Sequence, residues 1–191
     1  MESRITIVEA LLQTGPVVTA YLRAGRGPAL MLLRDPSRHG ASDPLLRLLA
    51  GTFKVTAPDL GFRARSAATL NGPFLSSRSW LQAFMEGVGL ERPAVVADAH
   101  LEAELIHLLT TEARRVDRVA LLVRGSEPAA GFPPLPESSS IPGAREEAAS
   151  GAVQVIRLPA CSDGLPEPAA RRRLSAFLGA DGAPPGATGD S

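Results

Sequence analysis

Cysteine, histidine and lysine are scarce here, and each scarcity closes off chemistry. Cys161 is the only cysteine in 191 residues. A single thiol builds neither a disulfide framework nor a thiolate metal cluster. The three histidines show no H-E-x-x-H or H-x-x-E-H spacing, so no metal site is read. Lys54 is the only lysine and the formal net charge is zero, without the clustered basic excess of a nucleic-acid footprint. The densest basic run, Arg171-Arg172-Arg173, reads as a solvated helix face. No apolar run approaches the roughly 20 residues of a membrane span. Met1 to Ala10, interrupted by Glu2, Arg4 and Glu9, does not read as a signal peptide. The expected location is the cytoplasm, with neither nucleic acid nor membrane as partner. There is no P-loop, and Gly25-Arg26-Gly27 lacks the third glycine of a dinucleotide loop. No cofactor is expected. Abundant arginine, alanine and proline beside one lysine suggest GC-rich bacterial coding DNA.

What is present is an ordinary globular composition, 45% hydrophobic and 21% charged. The length fits one domain with a real core. Residues 1–179 are read as that domain and 180–191 as a disordered, low-complexity tail. Arg4 to Leu12 and Val17 to Arg23 are β-rich and joined by Gly15-Pro16, which predicts a hairpin. Ala29 to Leu33 is a continuous apolar run, as for a strand covered on both faces. Asp43-Pro44 starts a short helix over Leu45 to Ala50, and Lys54 to Ala57 is another strand. Gly61 to Ser76 is loop-like. Ser77 to Val88 is an amphipathic helix with Trp80, Leu81, Phe84 and Val88 on one face, ended by Gly89. Pro93 to Ala97 is a buried strand running into a helix, Leu101 to Arg115, and Arg118 to Arg124 is one more strand. Alternating strands and helices predict an α/β fold, a mostly parallel sheet flanked by helices. Ser126 to Ser150, rich in proline, serine, glycine and alanine, has no apolar period.

The stretch Ala94-Val95-Val96-Ala97-Asp98-Ala99-His100-Leu101-Glu102-Ala103 is a sharp strand-to-helix turn. With it go Val17 to Gly27 (VVTAYLRAGRG), Pro28 to Arg34 (PALMLLR), Phe53 to Ser66 (FKVTAPDLGFRARS), Trp80 to Ala97 and Val153 to Leu178. The order and spacing of these segments resemble a small, capless α/β-hydrolase. The resemblance implies that Ala99 stands at the nucleophile position of the family's G-x-S-x-G elbow, with Ala97 and Leu101 at the flanking glycines. A methyl group cannot attack a carbonyl, so serine hydrolysis is not expected. The resemblance also implies that Ser126–Ser150 has lost a strand, or that Val119 to Gly125 does the work of the family's penultimate strand.

The resemblance implies changes at most of the remaining catalytic positions. Asp98, one residue before the tip, is read either as a helix N-cap or as a catalytic carboxylate. His100 follows the tip, where the family's residue donates a backbone N–H to the oxyanion; its side chain is either an acid–base group or a helical partner of Glu104. His107 is read as structural. The family's His-Gly oxyanion loop reads Arg34-Asp35. Asp35 would repel an oxyanion yet suits a general base, with Arg34 as its salt-bridge partner in the plainer reading. His39-Gly40 imitates the lost pair five residues later. Asp163 stands where the family's histidine should, although aspartate before glycine is also an ordinary turn signal. Glu127 matches the family's acid. Cys161 is read as buried and inert.

The candidate catalytic residues are therefore Asp35, Asp98, His100 and Asp163, and the candidate substrate contacts are Arg34, Ala99, His39 and Glu127. Two functions are expected as alternatives. One is a non-hydrolytic, cofactor-free enzyme promoting cyclisation, elimination or isomerisation of a small apolar molecule, in the manner of bacterial natural-product pathways. The other is a pseudo-hydrolase serving as a binding or scaffolding protein, with a homo-oligomer left open. An esterase using a shifted serine (Ser66, Ser76, Ser77 or Ser162) is the third and weakest reading.

Overall fold

The computed structural model describes residues 5–14, 17–34, 40–60, 77–101, 105, 115–124, 153–161 and 165–179. The expected hairpin is there. β1 (Ile7–Thr14) and β2 (Val17–Ala24) pair antiparallel from Ile7↔Ala24 to Thr14↔Val17. The first strand starts later and runs further than the apolar pattern alone suggests. The turn out of β2 needs Gly25, at φ 77°. A Cβ there would collide with the carbonyl oxygens of Phe53 and Ala50, so the turn read at Gly25-Arg26-Gly27 tolerates no side chain at its first position.

β3 (Ala29–Leu33) follows the predicted bounds. α1 (Pro44–Ala50) starts where Asp43-Pro44 predicts, and the Asp43 carboxylate accepts a hydrogen bond from the Leu45 amide at 2.9 Å. That is an N-cap with proline in the first turn, the arrangement that satisfies an otherwise orphaned helix amide. β4 (Lys54–Pro58) comes next, then α2 (Ser77–Gly87) and β5 (Ala94–Asp98). Trp80, Leu81 and Phe84 are buried as expected. Met85 is also buried, whereas Val88 lies past the last turn and is half-buried. Gly89 stops the helix with φ 68°. Residues Ala99–Leu101 form a single 3₁₀ turn rather than the start of a regular α-helix. Leu105 is helical and buried; the rest of the predicted Leu101–Arg115 helix, up to Arg115, lies outside the described residues. β6 (Arg118–Arg124), β7 (Gln154–Ala160) and α3 (Pro168–Gly179) complete the described elements.

The seven strands form one sheet in the order β1-β2-β4-β3-β5-β6-β7. β3, β4, β5, β6 and β7 are mutually parallel, and β1 and β2 add an antiparallel edge. This is the mostly parallel α/β architecture that the sequence predicts. β6 pairs with both β5 and β7. The segment 126–150 between β6 and β7, where the sequence left open a lost strand, lies outside the described residues.

The sheet is covered on both faces. On one, Leu22, Leu30, Leu32, Val55 and Val96 pack against Leu45, Leu46 and Leu49 of α1 and Ala170, Leu174 and Leu178 of α3. On the other, Tyr21, Met31, Leu33, Val95 and Ala97 pack against Trp80, Leu81, Phe84 and Met85 of α2. Strand side chains alternate between these two cores, as the period of two requires. Two-sided burial explains why β3 and β5 read as unbroken apolar runs. The Trp80 indole donates to Thr19 Oγ1 at 2.9 Å, so its one polar atom is satisfied within the core.

Asp35, His39, Glu127, Asp163, His107, the loop 61–76 and the segments 126–150 and 180–191 lie outside the described residues.

Candidate functional site

β3 leads through α1 to β4 on one side, while β5 lies against β3 on the other. The chain reverses its direction of winding at this pair. In an open parallel sheet, such a reversal leaves a crevice beyond the strand carboxyl ends, where ligands bind. The register Leu33↔Ala97 makes Arg34 and Asp98 the next residues of the two strands at that end of the sheet.

Both are buried, at 3% and 2% exposure. Leu30 and Leu32, and Ala94 and Val96, face α1 and α3. Alternation therefore turns Arg34 and Asp98 to the same face. Arg34 Nε lies 3.4 Å from Asp98 Oδ1, and Arg34 Nη1 lies 3.8 Å from Asp43 Oδ1. One guanidinium thus sits between two buried carboxylates from β5 and the start of α1. The contacts are ion pairs at Coulombic range, since among the described residues Arg34 Nε and Nη1 meet no partner in hydrogen-bond geometry. The guanidinium engages Asp98 and Asp43; its proposed pairing with Asp35 falls on an undescribed residue. Asp98 ends β5, and its carboxylate turns towards Arg34 rather than serving only the turn that follows.

Ala99 comes immediately after Asp98 and is half-buried, and His100 is exposed. The tip between strand and 3₁₀ turn therefore carries a methyl group, with a buried charge cluster just before it and an imidazole at the surface just after. Of the candidates, Arg34, Asp98 and Ala99 share this corner and His100 sits at its outer side. Asp43 is the residue that sequence reasoning missed as a site component. Its Asp-Pro context announces a helix cap, but nothing local announces a contact with Arg34. Cys161, at the carboxyl end of β7, is half-buried, and its amide donates to Leu165 O at 2.8 Å. Among the described residues no group of three side chains is arranged to hold a metal ion, and no helix is long and apolar enough to cross a membrane.

No family model matches the sequence, and neither does any curated protein. Solved structures do match. Naproxen esterase from Bacillus subtilis superposes with a TM-score of 0.52 at 17% identity, over 62% of this chain and 44% of its own. An inferred α/β hydrolase from Nostoc sp. PCC 7120 gives 0.51 at 26% identity, over 61% and 42%. The 2-hydroxy-6-oxo-6-phenylhexa-2,4-dienoate hydrolase of Rhodococcus sp. strain RHA1 gives 0.50 at 22% identity, over 71% and 51%. The chain has the α/β-hydrolase fold. It spans about half the length of these structures. In α/β-hydrolases the nucleophile sits on a sharp strand-to-helix turn; the turn that the sequence resemblance matches to it follows β5. The Arg34–Asp98 pair stands at that strand end and its neighbour's.

Proposed function

We propose that this protein is a cofactor-free, non-hydrolytic enzyme of the α/β-hydrolase fold. It promotes cyclisation, elimination or isomerisation of a small apolar molecule, in a bacterial natural-product setting. The observation that carries the reading is the buried Arg34–Asp98 pair beside Ala99 at the switch point of the sheet. Burying an ion pair costs desolvation that its own attraction rarely exceeds, and apolar residues of similar volume are often as stable or more so. Retaining three buried charges at the one corner where the fold receives ligands is best accounted for by chemistry. A methyl at the tip supplies no nucleophile, so a covalent acyl-enzyme is not part of the reading. Proton transfer needs only a positioned base and acid in a water-poor site. Asp98 is the proposed base, Arg34 its positioning partner, and Asp43 holds Arg34 from the other side. His100, at the outer side, is the proposed proton donor or acceptor on the solvent path. Asp35 and Asp163 remain proposed acid–base groups, and His39 and Glu127 proposed substrate contacts.

The pseudo-hydrolase reading has one observation in its favour. Arg34 faces both carboxylates at once, so the charges answer one another as well as any ligand. In that reading the protein binds without turnover.

The test has two parts. Exposure to a fluorophosphonate probe followed by intact-mass analysis should give no adduct, and p-nitrophenyl esters should hydrolyse at the buffer rate. An adduct on Ser66, Ser76, Ser77 or Ser162 would instead establish a shifted nucleophile and end the non-hydrolytic reading. Apolar metabolites from a bacterial extract should then be screened by mass spectrometry for products of unchanged or dehydrated mass. Conversion that is lost in both Asp98→Asn and His100→Ala supports the enzyme. Extract components that bind but are never converted favour the pseudo-hydrolase.

A further inference from the structure

The strongest surface feature lies at the opposite side of the sheet from β7. β1 closes the sheet order and pairs with β2 along all eight of its residues without a bulge. Its outer edge has no strand partner among the described residues. An edge strand presents backbone donors and acceptors to any incoming strand, and soluble proteins protect such edges with lysine, proline, bulges or short length. The β1 sequence, IVEALLQT, has one charge, Glu9, and none of those devices. β7 is the contrast: it carries Arg157 and Pro159, and its end is covered by a bridge between Ala160 and Pro166.

The open edge is also apolar on both faces. Leu11 is 70% exposed and Val8 53%. Leu11 is turned to the α1 face, where its cross-strand neighbour is Ala20, and Val18 beyond it is also exposed. Alternation turns Val8 to the α2 face. α2 reaches the strand at Ala10 and Leu12, with Leu12 lying against Gly87, and leaves Val8 and Leu11 outside that cover.

We propose that this edge takes a second copy of the chain, its β1 pairing antiparallel with the first across a two-fold axis at Leu11. The β1–β2 pair is already antiparallel, and two identical edge strands related by a two-fold perpendicular to the sheet are necessarily antiparallel. The added strand thus continues the existing ladder. Keeping α1 on the same side in both copies restricts pairing to positions of equal parity. An axis at Leu11 sets Leu11 against Leu11, Ala10 against Leu12, Val8 against Thr14 and Glu9 against Gln13. The strand's single carboxylate then faces a carboxamide. An axis at Glu9 would set two carboxylates against each other, which is unfavourable.

Sedimentation equilibrium over a wide concentration range tests the surface. The wild type is expected to show a dimer that dissociates on dilution. Leu11→Lys should weaken it by at least about tenfold with an unchanged circular dichroism spectrum, because Leu11 is mostly exposed. Leu48→Lys, at an exposed apolar site on α1, should leave the dimer intact. In a Cys161→Ser background, Leu11→Cys should form an intermolecular disulfide on mild oxidation, since directly opposed Cα atoms lie within bridging distance. Val8→Cys should not. A wild type that stays monomeric at every concentration, a dimer untouched by Leu11→Lys, or crosslinking at Val8 instead of Leu11 overturns the proposal.

Discussion

The bodies of β3 and β5 and the residues that end them are equally buried and built from opposite chemistry. Leu30 to Leu33 and Ala94 to Ala97 put hydrocarbon on both faces of the sheet. One position further on, Arg34 and Asp98 put charge into the same layer, at comparable exposure. Burial alone therefore does not describe this molecule. In the strand bodies, burial removes apolar surface from water and stabilises the fold. At the strand ends it strips water from Arg34 and Asp98, with Asp43 of the α1 cap beside them, and is tolerated only because these charges face one another. The first region is what any sheet of this type needs. The second is a costly arrangement, and it lies at the switch point of the sheet, where open parallel sheets place their ligands.

This contrast can be broken most forcefully at Arg34. Arg34→Met leaves Asp43 and Asp98 buried without their counter-charge and is expected to cost about 3–5 kcal/mol in urea unfolding. Adding Asp98→Leu should restore much of that stability, because the orphaned carboxylate goes with its partner. A double variant no more stable than Arg34→Met alone would mean that the pair is ordinary structural glue. Next in size is the apolar side. Leu32→Ala should cost about 2–5 kcal/mol through lost transfer energy and an unfilled cavity, and no second-site charge change should rescue it. Smallest is Asp43. Asp43→Ala should cost on the order of 1 kcal/mol for the lost cap, plus its share of the Arg34 contact. Asp43→Asn keeps a capping oxygen, so thermal melts of the two variants separate the cap from the ion pair. Equal losses in both would place the whole effect in the charge.

Much of the fold was legible because its signals are local. The apolar run Ala29–Leu33, the Asp43-Pro44 helix start, the glycine after α2 and the run Arg118–Arg124 each carry a pattern within a few residues of the element they make. The differences are also local. Val88 packs against the same core as Trp80, Leu81 and Phe84, as its spacing predicts, although the helix ends one residue before it, and Met85 joins that core as well. At Ala99–Leu101 the strand-to-helix turn read from the sequence is a 3₁₀ turn, which no residue pattern there announces.

The site was legible only in part. Arg34, Asp98 and Ala99 were identified as candidates because they fall at family positions, and Asp43 was identified only as a cap. No sequence pattern places Asp43 and Asp98 around one guanidinium.

The sequence by itself determined which of the described segments become strands and helices and which faces they bury, because periodicity, capping and residue identity are properties of short stretches. The tertiary structure alone decided that Arg34 lies between Asp43 and Asp98 and that β1 is left at the edge of the sheet. Both depend on strand order, β4-β3-β5 at the centre and β1 at the end. Strand order is set by how distant segments cross over and pack, which no local pattern encodes.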